Sequence, residues 1–186
     1  MRDDLSMKKS GDRARAAGQG ELAHLSDLRD FDIPKGEPDP RGWDVKTADG
    51  VKIGKVDDLL VDTGAGRIRY VEVKLKGDVA DRAEKDYVLI PVGAARLDDE
   101  NDDVIVSVDQ AKLAGIPAYD RERLSRDYER SLRTYYEGVS ARPAADQAAD
   151  QDVDFYAHPQ FDERSFFAGR REGREDRPYL TRANER

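Results

Sequence analysis

The feature that most constrains this chain is a succession of short β-type segments between Trp43 and Val108, each ended by turn residues. Trp43-Asp44-Val45 alternates, Asp49-Gly50 follows as a hairpin turn, and Val51-Lys52-Ile53 alternates again. Asp-Gly suits a type I′ turn, which needs positive φ at both central residues. Val56 to Val61 runs into Gly64-Ala65-Gly66. Ile68 to Leu75 then sets Val71, Val73 and Leu75 on one face and Glu72 and Lys74 on the other. Ile68 and Tyr70 have the opposite parity, so a bulge near Tyr70 or cover on both sides is expected. Gly54 marks a bulge or a close approach of strands. Residues 77–86 are polar and read as a mobile loop. Tyr87 to Val92 is an unbroken apolar run, the pattern of a strand buried on both faces, and Pro91 assigns it to an edge or a bulge. Ala94 to Leu97 and Val104 to Val108 flank an acidic turn, 98–103. Strands this short at this spacing predict a small antiparallel barrel or sandwich.

The flanks are different. Charged residues make up 39% of the chain and hydrophobic ones 38%, too polar a balance for one core running end to end. Residues 1–21 lack the apolar side chains that would offset ordering entropy and read as a disordered N-terminal tail. The lead-in 22–38 carries Leu22, Leu25, Leu28, Phe31 and Ile33 at mixed spacing, which leaves a short helix and an extended run both open. Pro34, Gly36, Pro38 and Pro40 close it. Asp109 to Ala114 suits a short helix ended by Gly115 and Pro117.

An amphipathic helix is expected over 120–138, capped by Asp120 and supported by the pairs Glu122/Arg126 and Glu129/Arg133. Leu124, Tyr128, Leu132 and Tyr135 form its stripe. That stripe can dock back on the β domain, pair with its copy in a homodimer, or bind another protein. Residues 139–186 carry Phe155, Tyr156, Phe161, Phe166, Phe167 and Tyr179 without a lasting period, and read as a mostly disordered tail with room for a short binding motif.

Charge and composition exclude several classes. With 40 acidic and 32 basic residues the net charge is -8, so nucleic acid or anionic lipid would need a local basic patch. Cys 0 removes disulfides, thiolate catalysis and Cys-ligated metals together. No run approaches the ~18 apolar residues of a membrane span. The first residues are basic without a following apolar stretch, unlike a secretory signal. A soluble, cytoplasmic protein is expected, touching a membrane only through a partner.

Asp39-Pro40-Arg41-Gly42-Trp43-Asp44-Val45 leading into Asp49-Gly50-Val51-Lys52-Ile53-Gly54-Lys55-Val56-Asp57-Asp58-Leu59-Leu60-Val61-Asp62 resembles the opening of a PRC-barrel domain. Arg67-Ile68-Arg69-Tyr70-Val71-Glu72-Val73 and Val88-Leu89-Ile90-Pro91-Val92 are similar to its next strands, and Leu113-Ala114-Gly115-Ile116-Pro117-Ala118-Tyr119 to its closing segment. The resemblance covers about 39–119. It implies a mainly β fold: a small antiparallel PRC-type barrel, with one or two C-terminal helices and disordered tails added by the physical reading. It also implies a non-catalytic scaffold or adaptor role, as in the cytoplasmic domain of the photosynthetic reaction centre H subunit. Other relatives are barrels of ribosome-maturation factors. Trp43, the single tryptophan, is expected to plug the core or a barrel end.

The chemistry-bearing motifs each have a plain alternative. Leu59-Leu60-Val61-Asp62-Thr63-Gly64-Ala65 is similar to the signature of dimeric retroviral-type aspartic proteases, where paired aspartates share a proton. The same Asp62-Thr63-Gly64 serves equally to open a turn. The acidic turn 98–103 offers hard-cation ligands but lacks EF-hand spacing, and a solvated hairpin is the simpler reading. His24 and His158 stand apart with no partner at metal-ligand spacing. The Arg-rich stretch 164–174 beside Phe166 and Phe167 suits single-stranded nucleic acid, but interleaved acids dilute it. No catalytic, cofactor or metal site is therefore assigned. The reading is an interaction module with an unidentified protein partner or a second copy of itself. A hydrolase using Asp62 and an RNA-assembly accessory barrel are the alternatives.

Overall fold

The computed structural model describes residues 21–121, 124–139, 152–168 and 179–182. The expectation for residues 1–20 lies outside them. In chain order the strands are β1 (Leu22–His24), β2 (Phe31–Asp32), β3 (Asp44–Thr47), β4 (Lys52–Asp62) and β5 (Arg67–Leu75). Helix α1 (Gly77–Ala83) precedes β6 (Tyr87–Pro91), β7 (Ala95–Asp98) and β8 (Asp103–Val106). Helices α2 (Arg126–Val139) and α3 (Glu163–Phe167) and strand β9 (Thr181–Arg182) complete the order. The protein is mainly β, as expected.

Six strands form one path, β6-β5-β4-β3-β8-β7, and β1 adds a seventh by pairing with the end of β4. The pairing β3–β8 is parallel, so the sheet is mixed rather than antiparallel throughout. Alternation identifies which residues are strands, but the direction of β8 is set by where the β7–β8 hairpin swings back. No ladder joins β6 to β7 among the described residues, so the hydrogen-bonded path stays open. Its two ends are nonetheless neighbours in the chain, linked only by the short turn Val92–Ala94. Pro91 closes β6, the edge position its missing N–H requires.

Local chemistry explains the strand details. Thr47 O accepts from Gly50 N at 2.9 Å, and Gly50 alone of the loop has positive φ, at 84°. The hairpin is therefore a turn centred on Ala48 and Asp49 with Gly50 as a following left-handed residue, not the expected type I′ pair. Between β4 and β5, Leu60 faces Tyr70 while Val61 faces Ile68, which makes Arg69 the extra residue of a bulge. The strand is also covered on both faces: every residue from Ile68 to Val73 is buried. Gly54 sits where a Cβ would lie 2.2 Å from Lys74 O, a close approach only glycine allows.

Three expectations change. Residues 77–83 form α1 instead of a loop, ended by Glu84 in a left-handed conformation at φ 55°. Its Val79, Ala80 and Ala83 are buried, an apolar spacing that the surrounding charges hide. Trp43 is only half-buried and packs against the core edge, so it plugs nothing. Within the expected C-terminal tail, residues 140–151, 169–178 and 183–186 lie outside the described residues, while Phe155, Phe161, Phe166, Phe167, Tyr179 and Leu180 join the core. Their anchoring is non-local, so no periodicity announced it.

Replacing Gly54 by Ala forces β4 and β5 apart. Urea unfolding should give a loss of about 1–3 kcal/mol. A change below about 0.5 kcal/mol, the range of neutral surface substitutions, would contradict the close approach.

Candidate functional site

The stripe residues are held by the protein itself. Ser125, not Asp120, starts α2: its Oγ accepts from Tyr128 N at 3.2 Å, and its carbonyl accepts from Glu129 N at 3.0 Å. Leu124 therefore precedes the helix. Leu132 is fully buried, while Leu124, Tyr128 and Tyr135 are partly buried against the core. Tyr128 stacks on Tyr119 with ring centroids 5.9 Å apart and donates to Pro117 O at 3.2 Å. Tyr135 donates to Lys112 O, and Tyr136, fully buried, donates to Leu89 O at 3.1 Å. The inward face is thus Glu129, Leu132 and Tyr136, one position round from the stripe read in the sequence. Arg133 pairs with Glu137, at 2.8 Å, leaving Glu129 for the interior.

Tyr70 and Glu72 lie two apart on β5 and share its outer face. Two polar clusters form over them. Glu72, fully buried, accepts from His24 Nε2 at 2.7 Å through one carboxylate oxygen and meets Arg121 Nε at 2.8 Å with the other. Tyr119 OH lies 3.2 Å from the same His24 nitrogen. Arg121 also reaches Asp57 at 3.1 Å and covers the Tyr87 ring. Ser26 donates to Asp58 Oδ2 at 2.5 Å. The alternation of β5 puts Glu72 on the face opposite Val71, and there the lead-in and the Tyr119–Arg121 segment cover it. Burial of that charge is tolerable because the Arg121 guanidinium and a His24 ring N–H meet it. Its hydrogen bond to Glu72 raises the His24 imidazole above the ordinary value of 6.5, against the opposing effect of burial.

The second cluster sits over Tyr70. Glu129 is buried and accepts from Tyr70 OH at 3.1 Å and from Tyr156 OH, with Arg126 Nη1 at 3.4 Å. Burial pushes the hydroxyls of Tyr70 and Tyr156 well above the usual tyrosine range. Arg69 lies 4.3 Å from the Tyr156 ring centroid and 3.2 Å from Asp62.

That contact settles the geometry of Asp62. Its Oδ1 accepts from Gly64 N and Ala65 N, each at 3.1 Å, and Oδ2 meets Arg69. The Asp-Thr-Gly motif builds a turn here and holds a buried ion pair. In the acidic hairpin, Asn101 holds Asp98 at 2.9 Å and lowers its carboxyl, and Asp103 pairs with Lys46 at 2.5 Å. Among the described residues no group of three or more His, Cys, Asp or Glu is placed to hold a metal ion. Of the Arg-rich stretch, Phe166 and Phe167 are buried, and residues 169–174 lie outside the described residues.

The two clusters were not legible in one sequence. Glu72 meets residues 48 positions before it and 49 after it, a separation at which spacing carries no signal. The domain is thus a small mixed sheet whose buried charges Asp62, Arg69, Glu72 and Glu129 each meet at least one partner, and this is the class of module its geometry defines. Residues 37–113 match the family model of the PRC-barrel domain, so the chain carries a PRC-barrel domain over that span. The family is generally non-catalytic. Among the described residues no helix is long and apolar enough to cross a membrane.

His24 titration gives a signed test. Its folded-state pKa lies above the unfolded value of 6.5, so the stabilisation is complete below pH 6.5 and is lost as pH rises through the raised value. The melting-temperature gap between wild type and His24→Gln should be widest on the acid side and narrow as the pH rises beyond neutrality. A gap that widens with pH would contradict the His24–Glu72 pairing.

Proposed function

We propose that the protein is a non-catalytic scaffold or adaptor that works through protein–protein contacts on the outside of its PRC-barrel domain. The observation that carries this reading is the fate of the buried charges. Asp62 is committed to a turn and Arg69, Glu72 to His24 and Arg121, and Glu129 to two tyrosines. Each is bound into structure, where a reacting group needs an accessible proton or nucleophile. The generally non-catalytic character of the domain family supports the same conclusion.

Barrel-like curvature belongs to this reading. The two ends of the strand path are joined by the three residues Val92–Ala94, so Pro91 and Ala95 are four Cα steps and at most about 13–14 Å apart. A sheet that curves round would bring β6 and β7 that close, which supports the barrel-like reading. Function then falls to the outer surface and to the segments laid over it. A cytoplasmic location accords with the absence of cysteine from the sequence.

Tagged full-length protein should recover one partner reproducibly from its native cell, and that partner, tagged in turn, should recover this chain. Failure of reciprocal capture, with the purified protein monomeric by light scattering, would contradict the adaptor reading. Acid-pH peptidase activity present in wild type and lost in Asp62→Asn would replace it with the hydrolase.

A further inference from the structure

Residues 152–168 lie across the outer side of the domain as a strap. They lie outside the span that matches the family, 37–113. Phe155 and Phe161 are buried, and Phe161 packs edge-on against Tyr70 at 5.5 Å. The strap backbone comes so near the turn after β6 that a Cβ at Gly93 would lie 2.3 Å from Pro159 O. Gln160 donates to Arg133 O at 3.3 Å, and Glu163 accepts from Ile68 N and pairs with Arg67 at 3.3 Å.

Three arginines of the domain, each also paired with a carboxylate beside it, face the aromatic rings of the strap, and Arg67 meets its Glu163. Arg69 and Arg126 lie 4.3 and 5.0 Å from the Tyr156 ring centroid, and Arg126 and Arg133 lie 4.6 and 5.5 Å from that of Phe155. Cations over aromatic faces attract through the ring quadrupole. The strap sequence carries Asp152, Asp154, Asp162 and Glu163 against the single base Arg164. On either side, 140–151 and 169–178 contain no large apolar side chain. The strap is therefore an apolar, acidic island between stretches with nothing to bury, the layout of a peptide ligand carried on tethers.

We propose that the groove between β5, the Gly93 turn and α2 is a docking site for a short acidic, aromatic peptide of a partner protein, with residues 152–168 as its built-in competitor. The inference rests on the adaptor reading and names its surface and partner chemistry. The tethered strap keeps the groove filled, so a partner binds with its affinity reduced by the fraction of time the strap is away. Weakening the strap should release that affinity. Gly93 distinguishes the site from a general sticky surface, because a methyl there collides with any backbone following the strap's course.

The probe is a fluorescein-labelled peptide of residues 152–168, titrated into full-length protein by fluorescence polarisation. Phe155→Ala/Phe161→Ala protein should bind it at least about tenfold more tightly than wild type. Adding Gly93→Ala to that double variant should abolish binding, and a scrambled peptide should not bind. Equal weak binding by wild type and double variant, or binding indifferent to Gly93→Ala, would overturn the proposal. A wild-type mass of twice the chain by light scattering would assign the groove to a second copy and overturn it likewise. Should the double variant not fold, limited proteolysis of wild type decides. Excess unlabelled peptide should speed cleavage within 152–168, and unchanged cleavage would reject the site. Reciprocal capture of a partner with a groove that takes no peptide would reject this inference and leave the adaptor reading standing.

Discussion

Burial of β5 on both faces is the constraint from which the rest of the structure follows. From Ile68 to Val73 every residue is buried, although the strand contains Arg69 and Glu72. Val71 and Val73 belong to one face and pack with the apolar positions of β4 and β6. Tyr70 and Glu72 belong to the other, and a two-sided strand needs a second layer over that face. The lead-in, α2 and the C-terminal segment supply it. Truncating only the partner side chain, with the cover kept, would leave a charged or phenolic group buried with a bond unmade, at a cost of about 1–3 kcal/mol for a neutral group and more for a charge.

The covering layer is polar at its contacts, and this shapes what it can do. Glu72 and Glu129 are both under 3% exposed, and each is met from above by residues distant in the chain. A buried ion pair adds little net stability over an apolar contact but strongly penalises a wrong arrangement. The clusters therefore specify where the lead-in and α2 sit, and the apolar burial around them supplies the driving force. Cation–π contacts from Arg69, Arg126 and Arg133 to Phe155 and Tyr156 add about 0.5–2 kcal/mol each. The same segment also buries Phe155, Phe161, Phe166 and Phe167 in the core, so apolar burial as well as these contacts holds it.

The sequence was legible wherever a local rule decides the outcome. Pro91 marked an edge, Gly54 a close approach of strands, and the parity change at Tyr70 a bulge, because each rests on backbone geometry within a few residues. Gly115 and Pro117 likewise marked the end of a short helical turn, found at Gln110–Gly115. It was illegible wherever distant segments decide. Val79, Ala80 and Ala83 looked like loop residues until the short turn after β8 lay beside them. Alternation placed Glu72 on the face opposite Val71 but could not show what covers it, because the cover comes from His24 and Arg121. Phe155 and Phe161 show no period because they fill a groove rather than form an amphipathic helix. The stripe on α2 was found one position round: Tyr128 and Tyr135 flank the inward line of Glu129, Leu132 and Tyr136, and tyrosine at a helix flank reads the same whether it covers a core or awaits a partner.

Native-state hydrogen exchange followed residue by residue tests the central claim most directly, because it reports on both layers over β5 at once. The amides of Ile68 to Val73 should be among the slowest in the protein, with protection also in α2 and in residues 155–167, the latter opening at lower free energy than the sheet. Exchange of residues 155–167 at the rate of an unfolded chain, with β5 equally slow, would mean that the outer face of the strand is not covered by this segment and would contradict the account.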